Sequence, residues 1–166
     1  MSSSQLSSER LQMKFSTTFC LLLLPATALA ASELPLKMAR DSGFTGCDAA
    51  ISKAFENTGG DVRVNVSHFS ETKADSFKLT ATAGSPGDSV YIEAEFRKVG
   101  PKCYWTQTAI TTSEKNCIAY KEELSAFKFV AQSTDFTWTE NKGGVNMILK
   151  GVGSGCMSIF QVEKSQ

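Results

Sequence analysis

Thr45-Gly46-Cys47-Asp48-Ala49-Ala50-Ile51-Ser52-Lys53-Ala54-Phe55 is the segment of the chain with a clear helical period. Cys47, Ala50, Ile51, Ala54 and Phe55 fall at i, i+3, i+4, i+7 and i+8 and therefore share one apolar face. Thr45 is placed to cap the helix through its hydroxyl, and Asp48 three residues on meets the positive helix end. Asn57-Thr58-Gly59-Gly60 stops it, because glycine accepts the left-handed conformation that helix ends use. The alanines let a sheet come close, and Cys47 offers that sheet a covalent tie. The helix reads as the plug of a sheet.

Beyond it the period drops to two. Val62, Val64 and Val66 alternate with Arg63, Asn65 and Ser67, and Phe77, Leu79 and Ala81 with Lys78, Thr80 and Thr82. Ser85-Pro86-Gly87-Asp88 is a turn, after which Val90, Ile92, Ala94 and Phe96 face inward and Tyr91, Glu93, Glu95 and Arg97 outward. Gly100-Pro101 breaks the chain before Cys103-Tyr104-Trp105. Phe127 and Phe129, then Phe136 and Trp138, then Val145, Met147 and Leu149 after the Asn141-Lys142-Gly143-Gly144 turn mark further strands. Cys156, Ser158, Phe160 and Val162 share one phase of the last strand. Residues 116 to 124 fit a strand through Ile118 and Tyr120, or a short helix through Glu114 and Lys121 to Leu124. The expected fold is α+β, one N-terminal helix packed on a meandering antiparallel sheet. No internal repeat is evident. Residues 31–43, with Pro35 and Gly43, read as an N-terminal arm ahead of a single domain over 44–166.

Ahead of the domain, Met13-Lys14 leads into the apolar run Phe19-Cys20-Leu21-Leu22-Leu23-Leu24 and then Pro25-Ala26-Thr27-Ala28-Leu29-Ala30. A basic start, a short apolar core and an Ala-x-Ala site make residues 1–30 a secretory signal peptide, with Met13 as an alternative start. The run is well short of the roughly 20 residues that span a bilayer. Cys20 lies inside it, whereas a lipid-modified cysteine would follow it. The expected location is periplasmic or secreted, with no membrane insertion after cleavage.

The leader takes Glu9, Arg10 and Lys14 from a chain with 17 basic and 17 acidic residues, leaving a net charge of −1 on 136 residues. Such a balance supplies no field for nucleic acid or anionic lipid. Four cysteines remain, Cys47, Cys103, Cys117 and Cys156, and an even count outside the cytoplasm reads as two disulfides. Of the three pairings we favour a nested one, Cys47 with Cys156 and Cys103 with Cys117. Against it, a single straight strand from Cys103 to Thr112 would hold Cys103 on the order of 30 Å from Cys117, and Cα atoms beyond about 7 Å cannot be bridged.

The residues that could carry chemistry do not assemble into a known site. His68 is the single histidine and reads as a strand-end residue half in solvent, not as part of a Ser-His-Asp set, and with the thiols oxidised a zinc site would have only His68 and carboxylates to draw on. Gly151-Val152-Gly153-Ser154-Gly155 departs from the Gly-x-Ser-x-Gly elbow, with valine at 152 where its first glycine belongs, and from phosphate loops, because no helix follows whose N-terminus could bind phosphate. Glu93 and Glu95 share a face, but glycosidase work needs one of them in an apolar pocket, and Lys78 is a ready cross-strand partner. Asn65-Val66-Ser67 is a glycosylation sequon in a mid-strand position. No catalytic, cofactor-binding or metal-binding residue is assigned.

The one-helix, wrapped-sheet order resembles the cystatin-like architecture over most of the mature chain. The protease-binding Gln-x-Val-x-Gly loop of cystatins has no counterpart after Gln107 or Gln132, so the resemblance implies the layout and carries over no residue. The expected function is an exported, non-catalytic binding protein acting on a protein partner, of the inhibitor or immunity type found in the bacterial envelope. Tyr91, Glu93, Glu95 and Tyr104 are the candidate partner-binding residues. The rival expectations are a small-ligand carrier or hydrolase with a site between helix and sheet lined by Trp105, Phe136 and Trp138, and a structural component of an envelope assembly.

Overall fold

The computed structural model describes residues 33–59, 61–86 and 88–166. The segment expected to be an export signal, residues 1–30, lies outside the described residues. The period-3.6 stretch forms helix α2, Asp48–Ala54, and buries all five residues of its expected face, Cys47, Ala50, Ile51, Ala54 and Phe55. Its start differs from expectation. Gly46 takes φ +90 and turns the chain between Thr45 and the helix, so Cys47 occupies the capping position with no side-chain cap. Asp48 turns instead to Arg40, whose Nε donates to its carboxylate at 3.1 Å.

Arg40 belongs to a helix where an irregular arm was expected, α1, Glu33–Asp41. Pro35 sits in its first turn, where the missing N–H is not needed. Pro35 and Ala39 are buried and Leu36 packs on the same core, which explains how so short a segment is held. Gly43, at φ +85, ends the run.

Eight strands follow in antiparallel pairs: β1 Arg63–Ser67, β2 Ser76–Ser85, β3 Asp88–Val99, β4 Lys102–Ser113, β5 Lys128–Ser133, β6 Phe136–Glu140, β7 Asn146–Val152 and β8 Gly155–Ser165. A third helix, α3 Cys117–Glu123, separates β4 from β5; Asn116 caps it, its side-chain oxygen accepting from the Ala119 N–H at 3.0 Å. This settles the ambiguous stretch as helix. The spatial order is β1-β2-β3-β4-β8-β7-β6-β5. The fold is thus α+β with an antiparallel sheet, but the sheet comprises two meanders meeting along β4 and β8, with three short helices among the described residues in place of the single plug of a cystatin-like layout.

The disulfides are Cys47–Cys103 and Cys117–Cys156, with Cα separations of 5.5 and 4.9 Å, so the nested pairing is wrong. Residues 102 to 113 form the straight strand that argued against it. Cys103 at its start lies over α2, while Cys117, just past its end, lies beside Cys156, which is paired across the ladder with Ser113.

That correction exposes an internal repeat that the sequence reading missed. Helix α2 leads into β1–β4, and α3 into β5–β8. In each unit the cysteine at the helix start is bound to the cysteine near the start of the fourth strand. In each unit that strand follows a hairpin of the same sequence pattern, Val99-Gly100-Pro101-Lys102-Cys103 and Val152-Gly153-Ser154-Gly155-Cys156. Gly100 and Gly153 hold φ +58 and +59, a left-handed conformation that costs glycine nothing. Each unit has its own half-core. Phe44, Phe55, Phe77 and Phe96 fill the first, under α1 and α2; Phe127, Met147 and Leu149 fill the second, with Tyr120 of α3 and Leu124 just past its end packed on them.

One position in the second hairpin has no slack. A Cβ on Gly155 would meet the Ser113 carbonyl oxygen at 2.4 Å. Gly155→Ala should therefore lower stability by about 1 to 3 kcal/mol through overpacking, whereas Gly151→Ala, with open space around it, should change little. Urea unfolding of the two variants checks this, and equal midpoints would show that β4 and β8 are not in such close contact there.

Candidate functional site: the open face of the sheet

Both half-cores lie on one side of the sheet. Trp105 and Ala109 of β4 point toward the first, and Ala109 is directly opposite Phe160 of β8, which packs on the second. The alternate residues of every strand therefore form an opposite face that no helix among the described residues covers.

Across the middle of this open face runs a transverse apolar row. Tyr91, Ile110, Ile159, Ile148 and Trp138 are consecutive cross-strand neighbours on β3, β4, β8, β7 and β6. Tyr91 and Trp138 at its ends are 37% and 39% exposed, while Ile148 between them is only 6% exposed, sheltered by its neighbours. The adjoining row places Met157, Lys150 and Phe136 side by side. Lys150 spans the Phe136 ring at 4.8 Å and reaches Asp135 at 3.2 Å, and its bond and charge hold the Asp135 carboxyl below the usual range.

On the other flank the face is polar. Glu93, Thr108, Gln161 and Asn146 form one row, and Lys78, Glu95, Thr106 and Glu163 the next. A cleft of about 280 Å³ opens there between Glu95, Arg97, Tyr104, Thr106 and Glu163. Tyr91, Glu93, Glu95 and Tyr104, singled out from sequence, all lie on this face, Tyr104 directly opposite Arg97. Sequence reasoning missed Ile110, Ile148 and Ile159, which come together only through the register of β4, β8 and β7.

Trp105, Phe136 and Trp138 do not line one pocket. Trp105, 7% exposed, belongs to the first half-core, and Phe136 and Trp138 lie on the opposite face. His68 stacks on Phe77 at 6.0 Å in an exposed position after β1. No group of three or more His, Cys, Asp or Glu that could hold a metal ion occurs among the described residues. Gly151 and Gly153 belong to the β7–β8 strands and hairpin, and Asn65 is exposed on the edge strand β1.

The carboxylate pair has the electrostatics of a solvated sheet. Lys78 binds Glu93 at 2.8 Å, and that hydrogen bond, with the lysine charge, holds the Glu93 carboxyl below the ordinary carboxylate range. A general acid needs the opposite shift. Because the folded pKa is depressed, the pair's contribution is complete above the unfolded value of about 4.3 and is lost as pH falls through the folded value. Lys78→Met should move the Glu93 titration upward, read by NMR of its side-chain carboxyl; an unmoved titration would mean that the lysine does not hold it.

No family model matches the chain, and no curated protein or solved structure matches it.

Proposed function

We propose that this is an exported, non-catalytic binding protein that seats a protein partner on the open face of its sheet. The transverse row from Tyr91 to Trp138 carries the reading. Exposed aromatics bordering a buried and two half-buried isoleucines, rimmed by polar and charged side chains, have the make-up of a protein interface with its anchors in place. The two disulfides are compatible with an extracellular or periplasmic location. They also hold the strands that display the face, and a scaffold fixed beforehand loses less entropy on association. Inhibition of an envelope hydrolase, or immunity against a delivered toxin, are activities of this kind.

The experiment is to isolate partners from an envelope extract, purify the recovered protein separately and mix the two. A defined complex at micromolar concentrations or below, lost on Trp138→Ala, supports the reading. Turnover of a cell-wall or ester substrate by the purified protein alone would overturn it, and recovery only as a part of a large assembly would place it among structural components.

A further inference from the structure

The two units differ in the length of their third strands. With the Val-Gly-x-x-Cys hairpins superimposed, β7 corresponds to residues 93–99 of β3, and residues 88–92 at the start of β3 have no counterpart. In the first unit Val90, Tyr91 and Ile92 pair with Thr111, Ile110 and Ala109 of β4. The equivalents of those three β4 residues are Lys164, Glu163 and Val162 of β8. They pair with β4 on one side, but on the other the ladder with β7 has already ended at the Asn146–Gln161 pair. The sheet therefore has a notch beside residues 162–165, next to the β6–β7 hairpin.

The main-chain groups that line this notch have a known direction. Gln166 and Cys103 exchange both of their backbone hydrogen bonds, each at 2.9 Å. Alternation along an antiparallel ladder then turns Lys164 and Val162 toward β4 as well, and turns the N–H and C=O of Glu163 and Ser165 away from it, into the notch. These four groups have no backbone partner among the described residues. A cleft of about 470 Å³ lies there, lined by Gly144, Asn146, Gln161, Val162 and Glu163, and by Thr106 to Thr108 of the neighbouring β4. Lys164 ties the hairpin wall to β8, its Nζ donating to the Gly143 carbonyl at 3.2 Å.

We propose that the notch binds an extended peptide segment of a partner, which adds to β8 as a short further strand and supplies in the second unit what residues 90–92 supply in the first. Donors and acceptors at alternate residues of a strand edge are what strand addition uses. Recognition is through the main chain, so it tolerates many sequences. A loose segment suits the place better than a second copy does. The outer strands of this sheet are β1 and β5; α1 packs on β1, and β5 is irregular between Phe129 and Ala131. Either strand would also bring the rest of its sheet up against the β6–β7 hairpin. The notch lies in the plane of the sheet, apart from the transverse apolar row, so its failure would leave the proposed binding function standing.

The test selects a displayed library of random short peptides on the purified protein and synthesises the strongest binder. Its binding should protect the Glu163 and Ser165 amides from hydrogen exchange. N-methylation of alternate peptide residues should weaken it at least tenfold in one phase and hardly at all in the other, because only one phase faces β8. Glu163→Pro removes an N–H that points into the notch and no bond to β4. It should weaken the peptide at least tenfold with little change in the urea midpoint, while Glu163→Ala should bind as the parent does. If the proline variant misfolds, the methylation series decides, since it leaves the protein untouched. A peptide that binds folded Glu163→Pro as well as the parent, or that tolerates methylation in both phases, would overturn the inference. So would protection of the same two amides by self-association of the protein without peptide, or a library that yields no binder.

Discussion

Replacing all four cysteines by alanine should leave the domain unfolded or close to it at room temperature. The bridges span 56 and 39 residues, and the chain-entropy relation gives about 4 kcal/mol for each. Together they reach about 8, against a total of roughly 5 to 15 kcal/mol for a domain. Removing one pair should be survivable. Cys47→Ala with Cys103→Ala should loosen α2 and β4 in the first half-core, and Cys117→Ala with Cys156→Ala should loosen α3 in the second. Paired replacement avoids stranding a buried thiol. Denaturant unfolding supplies the totals, and hydrogen exchange locates the loss. A four-alanine variant within about 1 kcal/mol of the parent would mean that the half-cores hold without their ties.

Two aromatic truncations on opposite faces should separate the core from the working surface. Phe77 is fully buried, stacked on Phe44 with ring centroids 5.0 Å apart, and Phe77→Ala should cost about 3 to 5 kcal/mol. Trp138 has its indole on the open face, so Trp138→Ala should cost about 1 kcal/mol or less of stability. Its loss should appear in partner binding, where an aromatic anchor is worth about 2 kcal/mol or more. Thermal or urea unfolding of both variants decides the point. If Trp138→Ala destabilises as much as Phe77→Ala, the open-face row is a second core and not an anchor.

Local physics made much of the fold legible. The face of α2, the inward phases of β2, β3, β7 and β8, and the turns at 85–88 and 141–144 all follow from periods and turn chemistry within a few residues. What could not be read depends on contacts far apart in the chain. Whether residues 103 to 112 run straight decides which cysteine Cys103 can reach, and only the pairing of β4 with β8 places Cys156 beside Cys117. Helix α1 was hidden because Pro35 suggests a break, while its neighbours are held by packing against the first half-core. The repeat was hidden because the linked cysteines are 56 residues apart in one unit and 39 in the other, and a fixed period is what self-similarity requires. For the site, Tyr91, Glu93, Glu95 and Tyr104 were visible as outward residues. Nothing local announces that Ile110, Ile148 and Ile159 align, since each looks like an ordinary strand residue until the register joins them.

The central claim is that the open face is the surface that works, and side-chain footprinting tests it most directly. Oxidative labelling of the protein alone and in its purified complex, followed by peptide mapping, reports the exposure of each aromatic. The account predicts that Trp138, Tyr91 and Tyr104 become protected on binding, while Phe69 in the β1–β2 connection, exposed and outside the face, labels as before. Unchanged labelling of Trp138 and Tyr91 in a complex that protects Phe69 would contradict it.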